Sequence, residues 1–498
     1  MNLSKQYLAK IATGGSELPA SDIFMLPEKI LQFGTGVLLR ALPDYFVDRA
    51  NRRGIFNGRI LVVKSTRSGD TDAFTRQDGV YTLCVRGLES GMVIDEPVIC
   101  SAISRVLSAS DEWPEILASA ASAEMEIVIS NTTEVGIRLV EESIFQSPPV
   151  SFPAKLLAFL YERFKIFSGS AESGMIIIPT ELVTDNGQKL KEILIHLSLW
   201  NSLDSSFIEW LGIHNRFCSS LVDRIVPGKP SPEVKIAMER SWGYTDDLLV
   251  VCEVYRLWAI EGDEEVRNKL SFYAADEGVV ITPDITKYKE LKLRMLNASH
   301  SLSCGLAFLS GFETVRSAME NTEFENYLRN LMLDEIGRAI PFTLTEKEIS
   351  EFGNKVLDRF RNPYLQHLWL GITMQYSTKL AMRAVPVLKK YIEEFKKPPE
   401  LISLGFAVYI LFMRAVKKEA GKFYGNYNNQ DYLINDDQAA YFFNLWQEKS
   451  PGEIVLTVLA NQSIWLTNLN QLEGFSEAVS KKLNQVIREG ALQVLNGL

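Results

Sequence analysis

The chain has 498 residues, 46% of them hydrophobic and 23% charged, a balance that excludes a disordered or fibrous protein and allows two or three domains with a sizeable core. A net charge of −10 argues against a nucleic-acid or anionic-membrane partner, since both call for a basic surface. Five cysteines (Cys84, Cys100, Cys218, Cys252, Cys304) lack metal-type or CxxC spacing, no signal segment opens the chain, and the longest apolar run, Leu401 to Met413, is too short to span a bilayer; the expected compartment is the cytoplasm.

In chain order, Lys29 to Phe33 is an apolar strand running into Gly34-Thr35-Gly36-Val37-Leu38-Leu39-Arg40, with a helix expected over Ala41 to Ala50. A strand, a Gly-x-Gly turn and a helix start make a dinucleotide-binding arrangement: the glycines let the backbone approach a pyrophosphate at the positive helix N-terminus. Leu39 stands where the third glycine of GxGxxG would be, which predicts looser packing of this helix on the sheet. Arg40 is a candidate phosphate partner, or else a surface arginine. The second strand, Arg59 to Lys64, has no acidic residue at its tip to bind ribose hydroxyls, and Lys64 with Arg67 leaves NAD against NADP open.

Gln77 to Asp95 reads as a hairpin and Ala102 to Ala120 as helix. Glu126 to Ser130 is a buried strand; Thr133 and Glu134 follow at its C-terminal end, where ligands bind in parallel sheets. Gly174 to Pro179 is another buried strand, Asn186-Gly187 reads as a plain turn, and a helix starts at Gln188. Residues 230 to 285 mix helix and strand, and from Lys287 the pattern is almost wholly helical, which places a boundary near 285 and gives domains 1–285 and 286–498. Leu401 to Met413 reads as a buried helix, Tyr424 to Tyr432 as a Gly/Asn-rich loop, and Asp436-Asp437 as the N-cap of a helix carrying Phe442 and Trp446. The fold class is α/β: a Rossmann-like dinucleotide-binding domain followed by a mostly α-helical C-terminal domain.

The most informative stretch is Lys292-Leu-Arg-Met-Leu-Asn297-Ala-Ser-His300. On an α-helix these three polar residues fall within an arc of about 140°, opposite Met295, Ala298, Leu302, Leu306 and Leu309. Lys292 and His300 are then roughly 12 Å apart along the axis, a span suited to a sugar-sized ligand. Histidine is scarce, with four in the chain.

These residues resemble the polyol-specific long-chain dehydrogenases, the family of mannitol dehydrogenase and the uronate-pathway reductases. Its Lys-x4-Asn-x2-His hallmark is met by Lys292, Asn297 and His300, and its preceding turn by Asn186-Gly187. Gly34-Thr-Gly36, Thr133-Glu134, Val222 to Pro227, Arg359-Phe-Arg-Asn-Pro363 and Ser377-Thr-Lys379 follow in the family's order, over nearly the whole chain. Gln32-Phe-Gly, Ser130 to Ile137, Glu181-Leu and Glu253 to Gly262 are most similar to its uronate-acting branch. The resemblance implies metal-independent NAD chemistry on a small-molecule sugar acid, with the cofactor held by Gln32, Phe33, Gly34, Thr35, Gly36, Val37, Leu38 and Arg40 together with Thr133 and Glu134. Lys292 would be the acid–base, its amine made less basic by burial or a nearby cation such as Lys289. Asn186 and Asn297 would donate to the oxyanion, and His300 and Lys379 would orient the substrate. Arg383, one turn beyond Lys379, would grip the carboxylate, with Arg256 as the next candidate. Two positions depart from the family: Lys289 stands where polyol-type members carry a glutamate, and Gly371 where an arginine is frequent. Family members are often monomeric. A sister ketose or keto-uronate activity, or a nucleotide sensor, are the alternatives.

Overall fold

Runs in which every residue is buried, such as Arg59–Lys64, Ile127–Ser130 and Ile176–Pro179, have no face to give to water and belong in the middle of a sheet covered on both sides. In the computed structural model, which describes all residues except 12–17, 67–70 and 133–135, they lie there. Among the described residues one sheet holds parallel strands in the spatial order Ile103–Ser108, Arg59–Lys64, Glu28–Phe33, Ile127–Ser130, Ile176–Pro179 and Arg216–Phe217. Numbered along the chain this is 3-2-1-4-5-6, the Rossmann order, which reverses direction beside the first strand.

Side-chain alternation along that first strand feeds two cores. Ile30 packs with Tyr45, Phe46 and Val47 on one face; Leu31 and Phe33 pack with Phe152, Leu156 and Phe159 on the other. Gln32 is a fully buried polar residue on the Ile30 side.

The third strand corrects the sequence reading of Ala102 to Ala120 as helix. Ile103–Ser108 is a strand, a serine-rich turn follows in which Glu112 Oε2 accepts the Ser108 N–H at 2.7 Å, and helix is confined to Trp113–Ala118 plus a short 3₁₀ turn. Ile103, Val106 and Leu107 have helical spacing by coincidence, and pairing with Arg59–Lys64 overrides it.

The chain divides into two compact units, Met1–Arg86 with Val93–Ile285, and Gly87–Met92 with Thr286–Leu498. In the second, the helix Glu400–Phe412 is buried on nearly all sides and packs against Ser299–Leu309 and Phe475–Glu489. One local expectation fails in this unit. Tyr424 to Tyr432 is a hairpin, Lys422–Tyr427 paired with Gln430–Leu433, because Asn428 and Asn429 at φ 51° and 60° make the two-residue turn whose twist suits antiparallel strands. Asp436 stands just before the helix Ala439–Glu448, as expected, and its Oδ1 accepts the Gln438 N–H at 2.8 Å; the same carboxylate also accepts Ser377 N–H at 2.7 Å and Ser377 Oγ–H at 2.8 Å. Among the described residues no helix is long and apolar enough to cross a membrane.

Candidate active site

In the first unit the strand Glu28–Phe33 ends at Gly34, where the sheet order reverses. Gly34 has φ 127°, and a Cβ on it would lie 2.8 Å from the Asn131 carbonyl oxygen and 2.9 Å from Leu39 Cδ1. It is therefore the glycine that permits close approach to the neighbouring strand end, and it makes room for Leu39 in place of the missing third glycine. Gly36 is different: its φ is −61° and a Cβ would meet no atom of the chain within 4 Å. The space above it is an open cradle that a side chain would fill, facing the first turn of a helix whose leading N–H groups have no intrahelical acceptors. These features fit a dinucleotide pyrophosphate. The helix expected over Ala41 to Ala50 is split at Leu42 into Val37–Ala41 and Pro43–Arg52. Thr133 and Glu134, expected beside this cradle, lie outside the described residues, as does Arg67.

Arg40 does not serve as the expected phosphate partner. Its guanidinium turns inward, donates to the Leu248 carbonyl and lies over the Phe74 and Tyr81 rings at 5.6 and 5.4 Å. Lys64, the other cation weighed for a 2′-phosphate, is buried.

The strand ends following the cradle are tied together by side chains. Asn131 Nδ2 donates to Thr180 Oγ1 at 2.9 Å. Glu181 accepts the Thr132 N–H at 2.9 Å, the Thr132 hydroxyl at 3.0 Å and the Ser130 hydroxyl at 3.1 Å; burial nevertheless raises its pKa above the usual carboxylate value. Asn186, expected as an oxyanion donor, belongs to this knot. Its Nδ2 donates to the carbonyls of Pro179, Glu181 and Ser220 at 3.0–3.1 Å, and its Oδ1 accepts the N–H groups of Gly187 and Ser220 at 2.9 Å. An amide has two N–H groups, so none remains for a substrate oxygen while these bonds stand. Arg256 is likewise engaged, with Nε 2.9 and 3.0 Å from the Asp276 carboxylate oxygens.

In the second unit, Lys292 and Asn297 lie on a π-helical segment, Leu291–Ala298, set between the α-helices Thr286–Glu290 and Ser299–Leu309. The single straight α-helix of the sequence reading is thus corrected. A π segment is uncommon and tends to mark functional sites; its i→i+5 ladder joins positions spaced as Lys292 and Asn297 are. Asn297 is half-buried, and among the described residues its side-chain amide makes no hydrogen bond, in contrast to Asn186.

His300, one turn further on, stacks on Phe360 with ring centroids 4.1 Å apart at 9°, and meets His367 and Trp369 edge-on at 5.4 and 6.0 Å. Its Nε2 is buried with no hydrogen-bond partner. Burial, reinforced by His367 and by the charges of Arg359, Arg383 and Lys379, holds the imidazole pKa well below its usual value, so the ring is neutral near pH 7. Lys379 donates to the Ile372 carbonyl at 3.1 Å, and its pKa is lowered by burial and then by the Arg383 charge. Arg383, at the end of the helix Tyr376–Arg383, donates to Ser301 Oγ at 3.0 Å and lies 3.4 Å from the Asn297 carbonyl oxygen. The expected face shared by Lys379 and Arg383 exists, but the guanidinium braces the Asn297–Ser301 turn. Arg294 secures the same join, donating to the Met382 and Arg383 carbonyls at 2.6 and 3.0 Å.

The sequence reading brought Arg359 and Phe360 in only as part of a motif and missed His367 and Trp369 around His300; the scarcity of histidine was the one signal that could have singled out His367. Among the described residues no cluster of His, Cys, Asp and Glu is arranged to hold a metal ion.

Two family models match the chain: the mannitol dehydrogenase Rossmann domain over residues 28–273 and the mannitol dehydrogenase C-terminal domain over residues 284–487. Altronate oxidoreductase of Bacillus subtilis (strain 168) is 35% identical over 474 residues, 94% of this chain and 95% of that protein. Altronate oxidoreductase of Halalkalibacterium halodurans is 34% identical over 483 residues, 95% and 93% of the two chains. Among solved structures, Pseudomonas fluorescens mannitol 2-dehydrogenase in ternary complex with NAD and D-mannitol shares the fold at TM-score 0.69 and 23% identity, covering 100% of this chain and 99% of that one. D-sorbitol dehydrogenase in substrate-free form does so at TM-score 0.78 and 20% identity, covering 99% and 100%.

Proposed function

The chain belongs to the mannitol dehydrogenase family, and on that footing we propose that it is an NADH-dependent reductase of a keto-uronate, reversibly converting D-tagaturonate to D-altronate in hexuronate catabolism. The observation that carries the sugar-acid reading is the set of three cations whose charges act on His300, Arg359, Arg383 and Lys379, beside a second histidine, His367, whose pKa burial and Lys379 lower. Cations crowded together in a half-buried place repel one another, and a carboxylate relieves that repulsion where a neutral polyol cannot. The names of the relatives point the same way.

Gly34, Thr35, Gly36, Val37 and Leu38 would hold the dinucleotide, with Thr133 and Glu134 beside them. When bound, the nicotinamide supplies a hydride in reduction and accepts one in the reverse direction. Lys292 gives a proton to the alkoxide oxygen left after reduction of the ketone and takes it back in oxidation. Asn297, with its amide uncommitted, donates a hydrogen bond to that oxygen; such a donor is worth about 3 kcal/mol in enzymes of known mechanism. His300, neutral and with Nε2 unpartnered, takes a substrate hydroxyl. Lys379 and Arg359 attract the carboxylate, while Arg383 and Asn186 position the residues around them.

The test is NADH oxidation across keto-uronates and neutral ketoses. D-tagaturonate should give the highest kcat/KM. A preference for fructuronate would reassign the stereoisomer, and a preference for a neutral ketose would overturn the sugar-acid reading. NADH binding without turnover on any of them would make the protein a nucleotide sensor, and a strong NADPH preference would overturn the cofactor assignment.

A further inference from the structure

The tip of the second strand, Arg59–Lys64, carries a cation where a dinucleotide site calls for an acid. On one flank of that strand the Gly34 N–H donates to the Val63 carbonyl at 3.0 Å; on the other the Ala109 N–H donates to the Lys64 carbonyl at 3.0 Å, with Lys64 and Ser108 in register. The glycine turn and the turn after Ile103–Ser108 therefore flank one strand tip, each about 5 Å away at the ordinary spacing of neighbouring strands. In this strand order the adenosine half of a dinucleotide runs from the pyrophosphate across the end of the second strand, where an acidic side chain takes the ribose hydroxyls. The second strand itself supplies none, since it ends in Lys64 and Ser65.

An acid arrives from the neighbouring strand. Asp111 stands on the serine-rich turn three residues past Ser108 and is exposed. Its Oδ2 accepts the Ser108 and Ser110 hydroxyls at 2.6 and 2.8 Å, while its Oδ1 has no partner among the described residues. The other acid of this turn, Glu112, is folded back and accepts the Ser108 N–H at 2.7 Å. Lys64, 7% exposed, makes no ion pair or side-chain hydrogen bond among the described residues. The two serine hydroxyls, and after them the Lys64 charge, hold the Asp111 carboxyl below its ordinary value, so it is ionised at neutral pH.

We propose that Asp111 is the specificity-determining residue at the adenosine ribose of the cofactor: its Oδ1 accepts from the ribose hydroxyls of NADH, and its charge, set against that of Lys64, turns away the 2′-phosphate of NADPH. The two serine hydroxyls on Oδ2 hold the carboxylate in one orientation and leave the other oxygen to a ligand. A ribose diol has hydrogens to donate there; a 2′-phosphate has only negative charge to bring, and a carboxylate repels it. Without Asp111, Lys64 would be the charged group left at the strand tip, and a cation in that place accommodates the 2′-phosphate. Read as helix, Ala102 to Ala120 would not have brought Asp111 to this end of the sheet; as strand and turn it does. The inference rests on the reading of the Gly34–Gly36 turn as a dinucleotide cradle.

The experiment measures Kd for NADH and for NADPH by fluorescence titration on wild type, Asp111→Asn and Asp111→Lys. AMP and adenosine 2′,5′-bisphosphate are titrated as competitors of bound NADH, which confines the readout to the adenosine half. Both variants change an exposed side chain, so their melting temperatures should stay near that of wild type. In Asp111→Asn, NADH should bind more weakly and NADPH more tightly, so that the ratio of the NADPH Kd to the NADH Kd falls by about tenfold or more, the scale of one charge-assisted contact. Asp111→Lys should lower the ratio further. The bisphosphate should follow NADPH, and AMP should follow NADH. A ratio that stays within about threefold of wild type in both variants overturns the proposal, as does an equal loss for both cofactors, the mark of a turn that only keeps its own shape. A gain for NADPH that the bisphosphate does not share overturns it too. If wild type binds neither cofactor, the proposed function fails and the cradle with it; if wild type prefers NADPH, both readings fail. If both cofactors bind and the ratio ignores Asp111, the proposed function stands and this proposal alone fails.

Discussion

Replacing each glycine of the turn by alanine should separate folding from cofactor binding. At Gly34 the new Cβ would lie 2.8 Å from the Asn131 carbonyl oxygen and 2.9 Å from Leu39 Cδ1, at φ 127°. The backbone conformation alone costs about 1–3 kcal/mol for a side-chain-bearing residue. The collision adds about 1–3 kcal/mol of overpacking, since Asn131 cannot retreat: its N–H is held by the Phe33 carbonyl at 3.1 Å and its side chain by Thr180 Oγ1 at 2.9 Å. A loss on the order of 4 kcal/mol in a unit of this size lowers the melting temperature by about 10 °C. At Gly36 the φ of −61° suits any residue and no atom of the chain lies within 4 Å of the new Cβ. Gly36→Ala should keep or slightly raise the melting temperature yet weaken NADH binding, because its methyl group projects where the pyrophosphate would sit. Calorimetry and fluorescence titration on both variants give the answer. Unchanged stability in Gly34→Ala, or wild-type NADH affinity in Gly36→Ala, would refute the division of labour argued from the turn.

Lys292→Ala should nearly abolish turnover with NADH affinity little changed; more than about a tenth of wild-type kcat exceeds what loss of an acid–base group allows and would remove Lys292 from that role. Lys379→Gln should lose about 2 kcal/mol, close to thirtyfold, in kcat/KM for a keto-uronate and little for its neutral ketose analogue, whereas Arg383→Lys, which disturbs the brace to Ser301 and Asn297, should cost both substrates alike. Reversal of that pattern would return the carboxylate to Arg383. Because the His300 pKa is depressed in the fold from 6.5, the unfolded chain takes up a proton there first: the ring favours folding fully above about pH 6.5, and that contribution declines as pH falls toward the folded value. Urea denaturation of wild type and His300→Gln should diverge below pH 6.5, with wild type losing more; parallel curves would mean the ring is not held neutral.

The Rossmann order was legible as far as periodicity reaches. Strands with every residue buried, such as Ile127–Ser130, announce themselves because an apolar run too short for a helix, bounded by turn residues, fits a strand covered on both faces. The edge strand Ile103–Ser108 does not, since the half-buried Ser104 and Arg105 in succession break its alternation and leave a helical spacing behind. Arg40 shows a different limit. An arginine after a glycine turn is chemically apt for phosphate, and only the Leu248 carbonyl and the aromatic faces of Phe74 and Tyr81, remote in sequence, turn it inward.

The two asparagines make the sharpest case. As residue types Asn186 and Asn297 are identical candidates for an oxyanion donor, and what separates them is the supply of acceptors around each. Asn186 begins its helix where the ends of Ile176–Pro179 and Ser220–Asp223 present the Pro179 and Ser220 carbonyls, which lie beyond any ladder partner that could satisfy them, and buried carbonyls take whatever donor is nearest. Asn297 stands on a segment whose own carbonyls are satisfied by the π ladder, or by Ser301 Oγ in its own case at 3.0 Å, so its side chain is not recruited. The same segment explains why a helical wheel misjudged the site. Five residues along an α-helix turn through about 140°, whereas an i→i+5 ladder brings the fifth residue nearly back over the first. Lys292 and Asn297 therefore share one face of the segment rather than the two edges of a broad polar face, which is the arrangement that the proposed acid and oxyanion donor, acting on a single carbonyl oxygen, would require.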